Sequence, residues 1–366
     1  MTGTSLDGLD VVLAEVTASG LAMKGRFLGM VSLPLGDLRE QLHHFASGRA
    51  APPIEYMRAA RRLGGKHAEA VAELCQRHLP SGAKLDFVVV HGQTIWHAPQ
   101  EHVSWQLFDP WPIVRRLNVP VCYDLRQSDL IAGGQGAPIT PLADWVLYRH
   151  ASSYRIVANL GGICNLTHLR ADAGPDAIRG EDWGPCNLFI DGVVHALFPG
   201  QPFDRDGRLA SEGRADAGVI QQMRQQVNAV KTGGSLGREI FSDTWVRALV
   251  PDFSGAHLPH DILASAVETV VDDLLVMSRQ YVPDELVLAG GGAKNRYLVR
   301  RLRDVHVKAG GGDPVRLSDD MGIPCQAREA MGFAVLGALS QDGVPITRPT
   351  VTGAKDPQVA GVWAYP

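Results

Sequence analysis

Apolar residues recur along this chain in two rhythms. Short unbroken runs, closed off by glycine or by polar residues, predict buried strands at 86–90, 119–124, 155–160 and 286–289. The run from Val11 to Val16 predicts another strand, entered through a turn of small residues. Helical spacing appears at 141–148, 261–281, 295–303 and 326–339. In 261–281, Ile262, Val267, Val270, Val271, Leu274 and Leu275 line one face, with Glu268, Asp272 and Asp273 mostly off it. Between 54 and 79, Ile54, Met57, Leu63, Val71 and Leu74 keep helical spacing, and Gly64-Gly65 predicts a break into two helical pieces. The helix at 326–339 carries Ala330, Gly332, Ala334 and Gly337, small enough for close packing against another backbone. Strands alternating with helices place the chain in the α/β class.

Glycine turns punctuate the strands. Gly3-Thr4-Ser5-Leu6-Asp7-Gly8-Leu9-Asp10 leads into the first strand. Its glycines allow close approach to a ligand, and its backbone N–H groups and hydroxyls suit an anion. Asp7 and Asp10 have the wrong sign for bare phosphate and the right sign for Mg²⁺ on a nucleotide. Taken alone, the stretch is an ordinary β-turn, and without a following Gly-Lys-Ser/Thr it is no Walker loop. Gly161-Gly162 turns the strand at 155–160 back into Cys164–Leu169, an echo of the first hairpin that hints at internal duplication. Gly290-Gly291-Gly292 follows a buried strand and precedes a helix, the usual setting for nucleotide contact, although a triple glycine alone is weak evidence.

Polar groups after the strand at 86–90 fall where open α/β sheets bind ligands. There His91 and His97 have neither helical spacing nor a third partner for a metal, which favours structural or substrate hydrogen bonding. The aromatic stretch Trp96, Trp105, Phe108 and Trp111 reads mostly as core, with one ring available to stack on a sugar. Arg126 ends a strand and suits a carboxylate or phosphate, or equally a surface ion pair.

Composition narrows the class. The chain has 366 residues, 45% hydrophobic and 20% charged, with a formal net charge of −4. That length suits two domains, and the charge gives no electrostatic case for nucleic acid or an anionic membrane. Five scattered cysteines without a C-x-x-C pair argue for free thiols in a reducing cytosol. No apolar run is long enough to span a bilayer, and the N-terminus lacks signal-peptide features, so the expected location is cytoplasmic.

Gly3-Thr4-Ser5-Leu6-Asp7-Gly8, His91-Gly92-Gln93-Thr94, Gly133-Gly134-Gln135-Gly136-Ala137-Pro138, Asn159-Leu160-Gly161-Gly162-Ile163, Gly290-Gly291-Gly292-Ala293 and Val351-Thr352-Gly353-Ala354 fall in one order. That set resembles the anhydro-N-acetylmuramic acid kinase family over nearly the whole chain. The resemblance implies a fold of the acetate kinase/sugar kinase/Hsp70/actin type. Two ribonuclease-H-like domains, each a five-stranded mixed sheet flanked by helices, would close on ATP in a cleft between them. The expected boundaries are 1–134 for the N-terminal domain, with 340–366 packing back on it, and 135–339 for the C-terminal domain. The implied reaction takes 1,6-anhydro-N-acetylmuramic acid, ATP and water to N-acetylmuramic acid 6-phosphate and ADP, in peptidoglycan recycling.

Carried over by residue, the resemblance assigns Gly3, Thr4, Ser5, Leu6, Asp7, Gly8, Leu9 and Asp10 to one ATP phosphate loop. It assigns Asn159, Gly161 and Gly162 to a second, and Gly290, Gly291 and Gly292 to the adenosine side. Asp182 falls on the catalytic aspartate, and Gln93, Arg126 and Glu329 on sugar-site positions. Asp7 is the candidate contact to Mg²⁺ of Mg-ATP. The partners expected are ATP and a small sugar, with a homodimer as family precedent. Two departures stand out. The family's Asp-Thr-Gly-Pro-Gly-Asn is here Asp182-Trp183-Gly184-Pro185-Cys186-Asn187, which questions the backbone beside the base. The chain also starts where the family has several more residues, and the expectation is an upstream start codon or a trimmed chain end.

Opening an anhydro bridge is glycoside cleavage, which ordinarily takes two carboxyl groups. If the γ-phosphoryl lands on the leaving oxygen, it replaces the acid's proton, and one carboxylate suffices as base. Without the family pattern, Asp182 reads as a surface or capping carboxylate. Three other readings stay open: another sugar or carboxylate kinase, an ATP-gated binding module, and a hydrolase without nucleotide, which the three glycine turns disfavour.

Overall fold

The computed structural model describes residues 1–2, 8–231, 241–310 and 314–366. In chain order the strands among these are β1 (Leu9–Thr17), β2 (Lys24–Leu33), β3 (Val88–Val90), β4 (Gln93–Ala98), β5 (Val103–Leu107), β6 (Val121–Tyr123), β7 (Arg155–Leu160), β8 (Ile163–Leu169), β9 (Arg179–Pro185), β10 (Glu285–Ala289), β11 (Val315–Leu317) and β12 (Val362–Ala364). The chain divides into two units. One comprises Met1–Arg149, Ala173–Arg179 and Ala327–Pro366, and the other His150–Asp172 and Gly180–Gln326.

The second unit is built on a five-stranded mixed sheet in the order β11-β10-β7-β8-β9. β10 runs parallel to β7 and β11, while β7 and β8 form an antiparallel hairpin. The central strands β7 and β10 are apolar over most of their length, at 156–158 and 286–289, as strands covered on both faces tend to be. Ile156, Ala158, Leu160, Leu286 and Leu288 share one core with Val267, Val270, Val271 and Leu274 of the helix Pro259–Tyr281. That helix starts with Pro259 in its first turn and stops where Val282 turns left-handed at φ 49°.

In the first unit β1 and β2 form a long antiparallel ladder, and β6 lies between β3 and β12. With the separate β4–β5 hairpin, the described residues of this unit hold seven strands in three sheets and not the single five-stranded sheet expected. Among the described residues no ladder joins β1 to β3; a cavity of about 710 Å³ borders both.

Residues 53–78 form one unbroken helix, Pro53–His78, and not the two pieces that Gly64-Gly65 implied. The reason is proximity. A Cβ on Gly64 would sit 2.2 Å from the Asp109 carbonyl oxygen, so glycine is needed there for close approach. The helix Arg328–Gln341 uses its small residues as expected: a Cβ on Gly337 would meet Val89 at 2.1 Å. At its start, Arg328 forms a buried ion pair with Asp144 of the helix Pro141–Tyr148, with Nε donating at 2.9 Å.

The aromatic stretch departs from expectation. Trp96, Trp105 and Trp111 are 56%, 45% and 51% exposed. Trp96 faces Trp105 across the β4–β5 hairpin, whose other face sends Ile95 and Leu107 into the core. The five cysteines are free, and no described helix is long and apolar enough to cross a membrane.

Candidate active site

The second unit brings two of the glycine turns together. Gly161 and Gly162 form the tip of the β7–β8 hairpin, and their carbonyls accept from the first amides of the helix Asn187–Leu197. Asn187 N donates to Gly161 O at 3.0 Å, while Cys186 N and Leu188 N donate to Gly162 O at 2.9 and 3.1 Å. The Asn187 side chain bridges onward, its Nδ2 donating to Leu160 O at 3.1 Å. Gly290–Gly292 packs against the same spot. A Cβ on Gly292 would lie 2.8 Å from Asn187 Oδ1, and one on Gly290 would lie 2.5 Å from Asn159 Oδ1. Gly290 also sits at φ 83°, a conformation that favours glycine. Gly161 thus meets Asn187 through the backbone, Gly291 and Gly292 approach the Asn187 side chain, and Gly290 approaches Asn159.

Asp182 lies half-buried on β9. Asn165, one strand over on β8, donates through Nδ2 to its Oδ1. Its neighbour Glu181 is paired with His168 at 2.8 Å, a contact that holds its carboxyl below the usual range. Tyr154 in turn meets His168 Nδ1 at 2.7 Å.

The first unit gathers Gln93, His91 and Arg126. Arg126 donates to Gly136 O at 2.8 Å and to His91 Nε2 at 3.2 Å. A guanidinium only donates, so His91 Nε2 accepts and its proton sits on Nδ1. Burial, with Arg126 beside it, holds His91 well below its ordinary pKa and keeps it neutral. Burial also lowers Arg126 to about 10, against the attraction of Glu329 and Asp129. Three buried polar atoms in this group have no partner among the described residues: His91 Nδ1, Arg126 Nε and Gln93 Oε1. Two are donors and one an acceptor, an unmet set that a ligand rich in hydroxyl or carboxylate oxygen would satisfy.

The turn Gly133–Pro138 is tied down from two sides. Asp129, fully buried, accepts from Gly136 N at 2.7 Å and from Thr352 Oγ1 at 2.7 Å, and Gln135 N donates to Thr352 O at 2.8 Å. This explains the Val351–Ala354 motif as a clamp on that turn. Of the stretch expected to form the first phosphate loop, Gly3, Thr4, Ser5, Leu6 and Asp7 lie outside the described residues. Gly8 packs near Leu33 O, Leu9 is core, and Asp10 accepts from Ser32.

A model of the anhydro-N-acetylmuramic acid kinase family matches residues 1–366. A protein of that name from Gloeobacter violaceus is 36% identical over 364 residues, covering 97% of this chain and 94% of its own. This chain belongs to the anhydro-N-acetylmuramic acid kinase family. Further proteins of the same name come from Prochlorococcus marinus (34% identical over 381 residues, 100% of this chain and 98% of that one) and Bacillus thuringiensis (31% over 381 residues, with the same coverage). A solved structure, component A of (R)-2-hydroxyglutaryl-CoA dehydratase from Acidaminococcus fermentans, aligns over 91% of this chain and 99% of its own at 11% identity. Its TM-score of 0.43 is too low to support an argument.

As an anhydro-N-acetylmuramic acid kinase family member, this chain accommodates its unusual aspartate motif. Trp183 anchors outward, its Nε1 donating to Asp273 O at 3.0 Å, and Lys231 pairs with the Asp273 carboxylate at 2.8 Å. Gly184 remains glycine because a Cβ there would meet that ion pair at 2.6 and 2.7 Å. Cys186, where the resemblance led to an expectation of glycine, has φ −128°, outside the left-handed region, and its thiol is buried in the core and pushed up to about 12. The backbone beside Asp182 therefore does not require a glycine at position 186. Asn165, Asn187, Asp129 and Thr352 escaped the sequence reading as contributors. Asn187 was visible as the last residue of the motif, but polar residues that act on a turn from a distant strand or the C-terminus leave no local pattern.

Proposed function

We propose that this chain converts 1,6-anhydro-N-acetylmuramic acid, ATP and water to N-acetylmuramic acid 6-phosphate and ADP, in cytoplasmic recycling of bacterial cell-wall sugars. Asp182 is the base in this reading. It takes a proton from water as the water oxygen bonds to C1 and the C1–O6 bond breaks. O6 then carries the electron pair to the γ-phosphorus, and ADP leaves. One carboxylate serves because the phosphoryl group takes the place of the proton that a glycosidase acid would deliver.

In this account Asn159, Gly161 and Gly162 hold the phosphates of the nucleotide, and Gly290–Gly292 its adenosine side. Mg²⁺ carried on ATP would neutralise phosphoryl charge, with Asp7 as the candidate contact. Among the described residues no group of three or more His, Cys, Asp or Glu is arranged to hold a metal. Mg²⁺ on a nucleotide does not need one, since it binds through one or two carboxylates, waters and phosphate oxygens. Gln93, Arg126 and Glu329 receive the sugar, whose oxygens match the unmet donors and acceptor around His91. A homodimer follows the family precedent.

The observation that best supports the reading is Asp182 itself: a half-buried carboxylate on a sheet strand, oriented by Asn165. The test is incubation with ATP, Mg²⁺ and the anhydro sugar in ¹⁸O-water, followed by mass spectrometry. The expected product is a ring-opened sugar phosphate with ¹⁸O at C1. Phosphorylation without ¹⁸O, or ATP hydrolysis with the sugar untouched, overturns the proposal.

A further inference from the structure

We propose, on the reading of Asp182 as the base, that Glu181 is its positioning residue: tied to His168 and Tyr281, it fixes the strand that carries the carboxylate. That strand is weak by itself. β9 closes one edge of the five-stranded sheet, and among the described residues β8 is its one neighbour. A ladder on one edge leaves the other without a strand partner. Gly180 and Gly184 also stand inside β9, on either side of Glu181-Asp182-Trp183. Glycine within a strand brings no side chain to pack and weakens it. Stiffness at Asp182 therefore has to come from the three side chains between the glycines. It is needed there: a general base works within about 2.6–3.2 Å of the proton it takes, and a misplacement of about 1 Å can cost about 10²-fold in rate.

All three side chains are anchored. Successive strand residues point to opposite sides of a sheet. Asp182 meets Asn165 on one side. On the other, Glu181 and Trp183 both reach the helix Pro259–Tyr281. Trp183 Nε1 donates to Asp273 O at 3.0 Å, and its ring meets Tyr281 edge-on with 6.0 Å between centroids. Glu181 has the more directional hold. Its carboxylate accepts from the Tyr281 hydroxyl and, at 2.8 Å, from His168 Nε2. A carboxylate only accepts, so Nε2 carries the proton, and with the ring neutral Nδ1 accepts from the Tyr154 hydroxyl at 2.7 Å. Tyr281 packs edge-on against the same imidazole, with 4.5 Å between centroids. His168 is buried and lies on β8, the strand that also carries Asn165. The residues before and after Asp182 are thus fixed to the core of the second unit, and Asp182 is held between them.

The test is a double-mutant cycle on kcat, with KM for the anhydro sugar, ATP affinity by calorimetry and Tm measured for every variant. Glu181→Ala is expected to lower kcat about 10–100-fold and to leave KM and ATP affinity within about threefold. Glu181→Gln keeps an oxygen to accept from His168 Nε2 and should hold kcat within about threefold of the parent. In an Asp182→Asn background Glu181→Ala should cost nothing further, because the group it aims is gone. Tyr281→Phe keeps the ring and removes only the hydroxyl. It should lower kcat about 3–10-fold with KM unchanged, and it decides the matter if Glu181→Ala does not fold. Parental kcat in Glu181→Ala or Tyr281→Phe overturns the proposal. So does a Glu181→Gln loss as large as that of Glu181→Ala, or a Glu181→Ala loss that persists in the Asp182→Asn background. Full turnover in Asp182→Asn alone removes the base and this inference with it. An inactive Asp182→Asn beside a fully active Glu181→Ala strikes this inference and leaves the base standing.

Discussion

Replacing Asp182 with asparagine separates chemistry from folding. The side chains are nearly the same size, and asparagine keeps an oxygen to accept from Asn165 Nδ2. Exchanging a charged acceptor for a neutral one costs about 1 kcal/mol at a half-buried site, so Tm should fall by only about 2–4 °C. What is lost is the ability to take a proton. A positioned general base contributes ~10²–10⁴ in rate, which is about 2.7–5.4 kcal/mol of barrier. Asp182→Asn should therefore keep its ATP affinity, measured by calorimetry, while kcat for ADP release in the presence of the anhydro sugar drops by that factor. Asn165→Asp supplies an independent check. It sets a second carboxylate against Asp182, which disfavours ionisation of the pair and moves the acid limb of the pH–rate profile upward. Asp182→Asn turnover within several-fold of the parent would remove Asp182 from the mechanism, whatever the fold.

Three further outcomes concern stability. Gly65→Ala should stabilise by about 0.5–1 kcal/mol, since a Cβ there meets nothing within 4 Å, while Gly64→Ala should destabilise by about 1–3 kcal/mol against Asp109 O; urea unfolding distinguishes the pair. His67 is buried, with its pKa lowered to about 3 by burial, against an ordinary value of about 6.5. Between those values the unfolded chain binds a proton that the native one refuses, so stability falls as pH drops, by roughly 2 kcal/mol from pH 6.5 to 5; in urea titrations His67→Gln should flatten that slope. Asp144→Ala should cost about 3–5 kcal/mol in the same assay by stranding Arg328 as a buried charge, since the two side chains are 4% and 2% exposed.

Elements whose signal is local were legible in the sequence. β7 spans the whole run 155–160, and the helices Pro141–Tyr148 and Pro259–Tyr281 match their apolar periodicity. The Gly64-Gly65 break failed because the sequence shows a glycine's freedom but not the carbonyl pressed against it. Trp96 and Trp105 misled for a related reason: a two-stranded hairpin has one face outside the core, and composition does not say which. The glycine turns were recognisable singly, whereas their meeting at Asn187 depends on the β7–β10 pairing, which no short pattern encodes. The unmet atoms around His91 are likewise a property of packing.

That single amide has a consequence for redesign. Because Asn187 is bonded to the 161–162 hairpin and its side chain lies against Gly291 and Gly292, a change that moves it is felt in both bends. A substitution in either bend is therefore expected to disturb the other as well. Variation is better tolerated beyond Ala293, where the following helix begins and this shared contact ends.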